Sequence, residues 1–293
     1  MPDATTAATD LRAALHGVRA LLLDLDGVIV LAGQAVPGAP EAVAELTRRG
    51  IPFRIVTNTS LVSRATLAVW SERIAAPVPA ERFQSALSAS AAWAAHAHAG
   101  EPLYVLGSED ALTEFGGQRL LSHEEAAAPD ARAAAVIIGD SPEALTYDNL
   151  NRAFRLVRNG AELVGMHRNP WWLTPDGPTI DAGAFVVGLE FATGTPARIV
   201  GKPSRTSFSV AVDALRAEVA GRGDGRLRRD EIAMVGDDVR NDVIAAQRAG
   251  LRGVFVLTGK HGEADVEAAA RERGGRRPDA TAASLADVVA ALD

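Results

Sequence analysis

Residues 19–30, "RALLLDLDGVIV", set Asp24 and Asp26 at the end of an apolar run that otherwise reads as buried sheet. Side chains two apart on an extended chain point the same way, so Asp24 and Asp26 face one space while Leu25 faces away. Gly27 then lets the chain turn sharply. Two carboxylates this close repel, which raises one pKa unless a cation lies between them, so the pair implies either a shared proton or a metal.

The same transition from apolar strand to polar loop recurs at three more places: "TNTS" (57–60), "GKPS" (201–204) and "GDDVRND" (236–242). Short apolar runs alternate with Ala-rich amphipathic segments along most of the chain, the pattern of βαβ units, and the class is α/β with a doubly wound parallel sheet. Strands are expected near 20–25, 52–57, 103–107, 134–139, 161–166, 197–201, 231–236 and 252–257, and helices at 40–49 and along "YDNLNRAFRLVRNG" (147–160). Ligands of such sheets bind outside the carboxyl ends of the strands, so loops far apart in sequence converge there. Residues 101–196 contribute no comparable loop, which suggests an inserted domain.

The residue types of the four loops fit one chemistry. Asp237 and Asp238 add carboxylates with no His or Cys beside them, an all-oxygen donor set that suits Mg²⁺ better than zinc. Lys202 supplies a point charge for an anion, and Thr57 Oγ1 with the amides around Asn58 supplies donors for phosphate oxygens. Carboxylate nucleophile, metal, lysine and hydroxyl together describe phosphoryl transfer, with Asp24 attacking and Asp26 handling protons.

The bulk properties exclude other classes. The 293 residues carry 37 acidic and 30 basic side chains, a net charge of -7, with the basic ones scattered, so a nucleic-acid groove is not expected. No long apolar segment marks a membrane anchor, and residues 1–17 read as a frayed tail. The absence of cysteine excludes disulfides and thiolate ligands and suits the cytoplasm.

In order and spacing the four loops resemble the motifs of the haloacid dehalogenase superfamily. More narrowly, "YVLGSEDAL" (104–112), "LTYDNLNRAF" (145–154), "DAGAFVVGLEFATGTPARIVGKPS" (181–204) and "VLTGK" (256–260) resemble its type IIA branch with a C2 cap. That branch includes 4-nitrophenylphosphatase-like enzymes and relatives of phospholysine phosphohistidine inorganic pyrophosphate phosphatase.

The resemblance implies a catalytic core of residues 18–100 and 197–293 with a smaller α/β cap of residues 101–196. It makes Asp24 the nucleophile that becomes an aspartyl phosphate, and Asp26 the acid and then the base. Mg²⁺ would be held by Asp24, the backbone carbonyl of Asp26, and Asp237. Thr57 and Asn58 would bind phosphate and Lys202 would neutralise it, while Asp242 would orient Lys202 or a metal-bound water. Asp238 stands where relatives often carry Arg or Asn, and its role is open. Retention of Asp26 argues for hydrolysis, because the dehalogenase and ATPase branches differ there.

Within "GMHRNPWWLTPDG" (165–177), His167 and Arg168 divide between surface positions and contact with the leaving group, and Trp171 and Trp172 read first as core. Asp238 and Asp242 also read as a solvated helix face. Gly183 is expected to allow a tight loop over the site.

The expected substrate is a small phosphorylated metabolite, with phosphoramidates and pyrophosphate also open, and an exposed cap surface suits a homodimer. Two other classes stay open, a non-catalytic aspartyl-phosphate regulator and a phosphotransferase or mutase.

Overall fold

The computed structural model describes residues 11–293. Six strands form one sheet in the order Ala280–Ala282, Arg252–Val256, Ile232–Gly236, Ala20–Leu23, Phe53–Thr57 and Phe83–Ser85, and every pairing in it is parallel. The first strand in sequence therefore lies inside the sheet. Its two neighbours belong to opposite directions of winding, which opens a crevice at its carboxyl end. Leu23 pairs with Val235 on one side and Ile55 on the other, so Asp24, Thr57 and Asp237 all emerge at this crevice.

Strand alternation explains the two-sided core. Leu21, Leu23, Ile55 and Val235 pack with Leu46 and Leu285 on one face, while Ala20, Leu22, Val56 and Met234 pack with Phe208 and Leu215 on the other. Full burial of each large aliphatic side chain contributes about 1.5–3 kcal/mol, which favours the middle of the sheet for an uninterrupted apolar strand such as Ala20–Leu23.

A second sheet of five parallel strands runs in the order Arg198–Ile199, Glu162–Gly165, Ala135–Ile138, Pro102–Leu106 and Arg119–Leu120. Helix Ala86–Ala97 covers one face, packing on Leu103, Val105, Ile137 and Val164. Helices Tyr147–Arg158 and Ala182–Thr193 cover the other.

Two elements differ from the boundaries expected at 100/101 and 196/197. Arg198–Ile199, expected in the core, pairs with Glu162–Gly165. Helix Ala86–Ala97, also expected in the core, packs on the five-stranded sheet. It starts directly after the core strand Phe83–Ser85, where Ser85 and Ser88 form a reciprocal capping box, so no linker marks the change of unit. By sheet and packing, residues 86–200 form the second unit.

The N-terminal expectation also changes. Residues 1–10 lie outside the described residues, but residues 11–15 are helical and bury Leu11 and Leu15 in the core, so they are not a frayed tail.

Two short antiparallel hairpins that the sequence pattern did not suggest complete the fold. Val30–Leu31 pairs with Gln34–Ala35, and Trp171–Thr174 pairs with Gly177–Ile180. Their turns lie against each other, because a Cβ on Gly33 would sit 3.8 Å from Pro175 Cγ. Among the described residues no helix is long and apolar enough to cross a membrane.

Candidate active site

Asp24 immediately follows strand Ala20–Leu23 and is 7% exposed. Its Oδ1 accepts the Leu25 N–H at 2.8 Å and lies 2.7 Å from Lys202 Nζ. Lys202, 2% exposed, also lies 2.7 Å from Asp242 Oδ1. Burial alone would lower the lysine pKa, but Asp24 and Asp242 together raise it, so the ammonium stays charged. Asp24 itself is pushed up to about 6, first by burial, with Asp237 and Asp26 adding to the shift and Lys202 opposing it.

Asp26 is exposed to the cavity by surface area but lies deep in surrounding protein. It too is pushed up to about 6, first by that loss of bulk solvent and then by Asp237, against Lys202 and Lys260. Gly27, at φ +77°, makes the turn expected of it and also clears space: a Cβ there would sit 2.5 Å from Asp237 Cγ.

Asp237 extends from the end of strand Ile232–Gly236, and its Oδ2 accepts the Lys260 N–H at 2.7 Å. Burial, with help from Asp242, pushes it up to about 6. Asp242 is fully buried and raised to about 8, first by burial and then by Asp24, with Lys202 opposing. Its Oδ2 accepts the Asp238 N–H at 3.1 Å, while its Oδ1 has no hydrogen-bond partner and meets only the Lys202 charge. The reading of Asp242 as part of a solvated helix face therefore does not hold.

Asp238 is 7% exposed and caps the wide-turned helix Val239–Ile244, accepting the Arg240 and Asn241 N–H groups at 3.0 and 2.9 Å. Its other oxygen lies 3.1 Å from Lys260 Nζ. Burial acts to raise it, but Lys260, the Asn241 N–H and His261 leave it below the usual carboxylate range. Asp238 thus belongs to a structural cap and a cation pair.

On the next strand, Thr57 is buried, its Oγ1 accepts the Thr59 N–H at 3.1 Å and shares a hydrogen bond at 3.0 Å with Thr59 Oγ1, and when Thr59 donates in that pair the Thr57 proton is able to donate elsewhere. Asn58, expected to bind phosphate, spends its side chain on the lysine loop. Its Oδ1 accepts the Lys202 N–H at 2.8 Å, and its Nδ2 donates to the Lys202 carbonyl at 3.1 Å and to Asn169 Oδ1 at 3.2 Å. Only its backbone is left to meet a phosphate.

These groups line a cavity of about 460 Å³ between the two sheets' units. His167, 2% exposed, reaches it and shares a hydrogen bond at 3.0 Å with Ser60 Oγ, which in turn accepts the Asp140 N–H at 2.8 Å. Arg168 does not line the cavity. It lies 2.6 Å from Glu190 and is half exposed, so the expected contact with a leaving group is not made. Gly183, expected in a tight loop over the site, lies instead in the first turn of helix Ala182–Thr193, where a Cβ would sit 2.5 Å from the Arg168 backbone carbon.

The structure brings Asp24, Asp26, Thr57, Asn58, Lys202, Asp237, Asp238 and Asp242 to one cavity. It adds Lys260, Asp140 and Asp181, which the sequence reading gave no role. Lys260 and Asp140 had the signal used elsewhere, a polar loop after an apolar strand: "TGKHG" (258–262) follows Arg252–Val256, and "IIGD" (137–140) includes the end of Ala135–Ile138. Asp181 caps helix Ala182–Thr193, and its type and position alone carry no further signal.

Comparisons with known proteins identify the family. A family model described as haloacid dehalogenase-like hydrolase matches residues 21–118, and one described as HAD-hydrolase-like matches residues 199–288. The chain is 35% identical over 255 residues to haloacid dehalogenase-like hydrolase domain-containing protein 2 of Mus musculus, covering 87% of this chain and 90% of that one. It is 31% identical over 257 residues to the phospholysine phosphohistidine inorganic pyrophosphate phosphatase of Xenopus laevis, covering 85% and 87%. The solved structure of a glycerol phosphate phosphatase from Mycobacterium tuberculosis in complex with magnesium matches with a TM-score of 0.76 at 26% identity, covering 94% of this chain and 77% of that one. With two such relatives matched over most of their length, the chain belongs to the haloacid dehalogenase-like hydrolases.

Proposed function

We propose that the protein is a Mg²⁺-dependent phosphatase that hydrolyses small phosphate monoesters through a phosphoryl group carried on Asp24. The observation that carries this reading is the buried Lys202 ammonium, 2.7 Å from both Asp24 and Asp242, at the carboxyl edge of the sheet. The names of the relatives support it, since those with a stated activity are phosphatases.

Asp24 Oδ1 is held by Lys202 and the Leu25 N–H, which leaves Oδ2 without a hydrogen-bond partner among the described residues and suited to attack phosphorus. The substrate P–O bond breaks as the Asp24 O–P bond forms, and Asp26 gives its proton to the departing alkoxide. A carboxyl pKa raised toward neutrality suits that transfer. Asp26 then takes a proton from water as the water oxygen attacks phosphorus, releasing phosphate and restoring the Asp24 carboxylate. The Thr57 hydroxyl and the Asn58 backbone N–H donate to the phosphoryl oxygens, and Lys202 neutralises their charge.

The donor set fits Mg²⁺. Asp24, Asp237 and Asp242 each present an oxygen within 4.8 Å of the others, and burial has raised all three carboxyl pKa values, a cost that a cation relieves. Asp242 meets Lys202 with one oxygen and the Asp238 N–H with the other, so we assign Asp24, Asp237 and the Asp26 backbone carbonyl to the metal, and Asp242 to the orientation of Lys202. When bound, Mg²⁺ supplies charge neutralisation for the phosphoryl oxygens and the attacking carboxylate.

We take residues 86–200 as a C2 cap that restricts water at the site, and place the protein in the cytoplasm. The exposed Val187 and Phe191, on one face of helix Ala182–Thr193, support assembly as a homodimer through that cap.

The test is phosphate release from 4-nitrophenyl phosphate. Steady turnover with Mg²⁺, abolished by EDTA and by Asp24→Asn, is expected. Labelling that stops at one phosphate per chain would indicate a regulator instead, and transfer to an added alcohol in place of water would indicate a phosphotransferase.

A further inference from the structure

The cavity has a lining of two chemical kinds. Besides the aspartates and Lys202 it has an apolar wall of Leu31, Leu67, Trp70, Ile74, Trp172 and Leu173, of which Leu31, Leu67 and Ile74 pack in one core cluster. Three separate elements build this wall. Leu67, Trp70 and Ile74 recur at helical spacing along and just beyond helix Arg64–Arg73, so they share one face. Leu31 comes from the Val30–Leu31 hairpin of the core, and Trp172 and Leu173 come from the Trp171–Thr174 strand of the second unit. The facing turns at Gly33 and Pro175 help to close the roof between them.

Few cations line the cavity beside its aspartates. Three cationic residues line the cavity, Lys202, Lys260 and Arg73. Lys202 is engaged by Asp24 and Asp242, and Lys260 by Asp238. Arg73 is exposed at the end of its helix. A second phosphate or a carboxylate on the substrate would therefore enter an apolar compartment with no buried cation to receive it, beside a site already rich in aspartate, and that desolvation is unfavourable.

Resting on the phosphatase reading above, we infer that the apolar wall forms a leaving-group compartment, and that the enzyme prefers phosphate monoesters of uncharged alkyl or aryl alcohols over polyol phosphates and over substrates whose leaving group carries a further charge, such as pyrophosphate. A substrate of this class places its phosphoryl group at Asp24 and its apolar body between the tryptophans. Specificity then comes from burial of the leaving group, because this wall is mostly apolar and Arg73, the cation beside it in sequence, is exposed.

The test uses the purified wild-type enzyme with Mg²⁺ and the series ethyl, butyl and hexyl phosphate, whose leaving groups have similar acidity, with glycerol phosphate and pyrophosphate alongside. kcat/KM is expected to rise by up to about fourfold per methylene, the ratio that burial of one methylene group supports. In Trp70→Ala and Trp172→Ala the ratio of hexyl to ethyl phosphate should fall several-fold. Equal kcat/KM across the alkyl series, a preference for glycerol phosphate or pyrophosphate, or a hexyl-to-ethyl ratio untouched by both substitutions would overturn the compartment while leaving the phosphatase reading standing. Failure to hydrolyse any of these compounds or 4-nitrophenyl phosphate would overturn both.

Discussion

Asn58 grips the Lys202 backbone from both sides, accepting its N–H at 2.8 Å and donating to its carbonyl at 3.1 Å across 144 residues of sequence. The grip ties the loop after strand Phe53–Thr57 to the loop that delivers the lysine, so the position of Nζ beside Asp24 depends on an amide that never contacts Nζ. Asn58→Ala would leave the Lys202 N–H and C=O buried without these partners, at a cost of about 1–3 kcal/mol. It should also lower kcat by about 100-fold, the scale of a catalytic group displaced by around 1 Å. Denaturant melts and steady-state kinetics check both effects, and an unchanged kcat would show that the grip does not set the lysine.

Lys202 separates two buried carboxylates, Asp24 and Asp242. Lys202→Met would leave them facing each other without a cation and should destabilise the protein by about 3–5 kcal/mol. Adding Asp242→Asn removes one of the opposed charges, so the double variant should recover part of that loss while remaining inactive toward 4-nitrophenyl phosphate. Strictly additive losses in stability would mean that the two side chains do not interact.

His167 should leave a signature in the dependence of stability on pH. Burial depresses its pKa to about 4, aided by Lys260 and opposed by Asp140. Between the ordinary value of about 6.5 and that native value, the unfolded chain binds a proton that the folded chain refuses. The stability His167 contributes is therefore complete above pH 6.5 and is lost as pH falls toward 4, by an amount on the order of 3 kcal/mol. Asp140 and Asp181, pushed up to about 6 chiefly by burial, act in the opposite direction over an overlapping range. The stability difference between the wild type and His167→Gln isolates the histidine. That difference should shrink as pH falls below 6.5, and a difference independent of pH would count against a buried neutral imidazole.

Metal binding should appear as stabilisation. Asp237 raises the proton affinity of buried Asp24, and burial with Asp242 raises that of Asp237, so a cation that neutralises them binds the folded chain only. At a hundredfold excess over its Kd, Mg²⁺ should add about 2.7 kcal/mol, measurable as a rise in Tm that EDTA reverses. Asp237→Asn should lose most of that rise. A wild-type Tm indifferent to Mg²⁺ would remove the metal from the account.

Much of this site was legible before any coordinates, and the reason is local. Asp24, Thr57 and Asp237 stand at the carboxyl ends of apolar strands of the six-stranded sheet, and a parallel sheet brings such ends together whatever the sequence distance; Lys202 shows the same local pattern but follows a strand of the other sheet. What stayed hidden depended on which of two sheets an element would join. Helix Ala86–Ala97 is largely alanine, so its sequence names no partner face, and it packs where small side chains allow close approach to the five-stranded sheet. Arg198–Ile199 reads like any other short strand, and only pairing assigns it to Glu162–Gly165. Arg168, which divides between surface and substrate contact in the sequence, is drawn away from the cavity because Glu190 takes the guanidinium. The pairing of Asn58 with Lys202 could not be read at all, since an asparagine after a strand looks the same whether it caps a helix, binds an anion or holds a distant loop.

The central claim is that Asp24 becomes covalently phosphorylated, and the most direct measurement is peptide mapping of the acid-quenched enzyme after brief exposure to 4-nitrophenyl phosphate and Mg²⁺. An Asp26→Asn variant slows removal of the phosphoryl group and lets it accumulate. The account predicts a phosphoryl adduct on the peptide containing Asp24, absent from the Asp24→Asn enzyme. An adduct on another residue, or full turnover by Asp24→Asn, would contradict it.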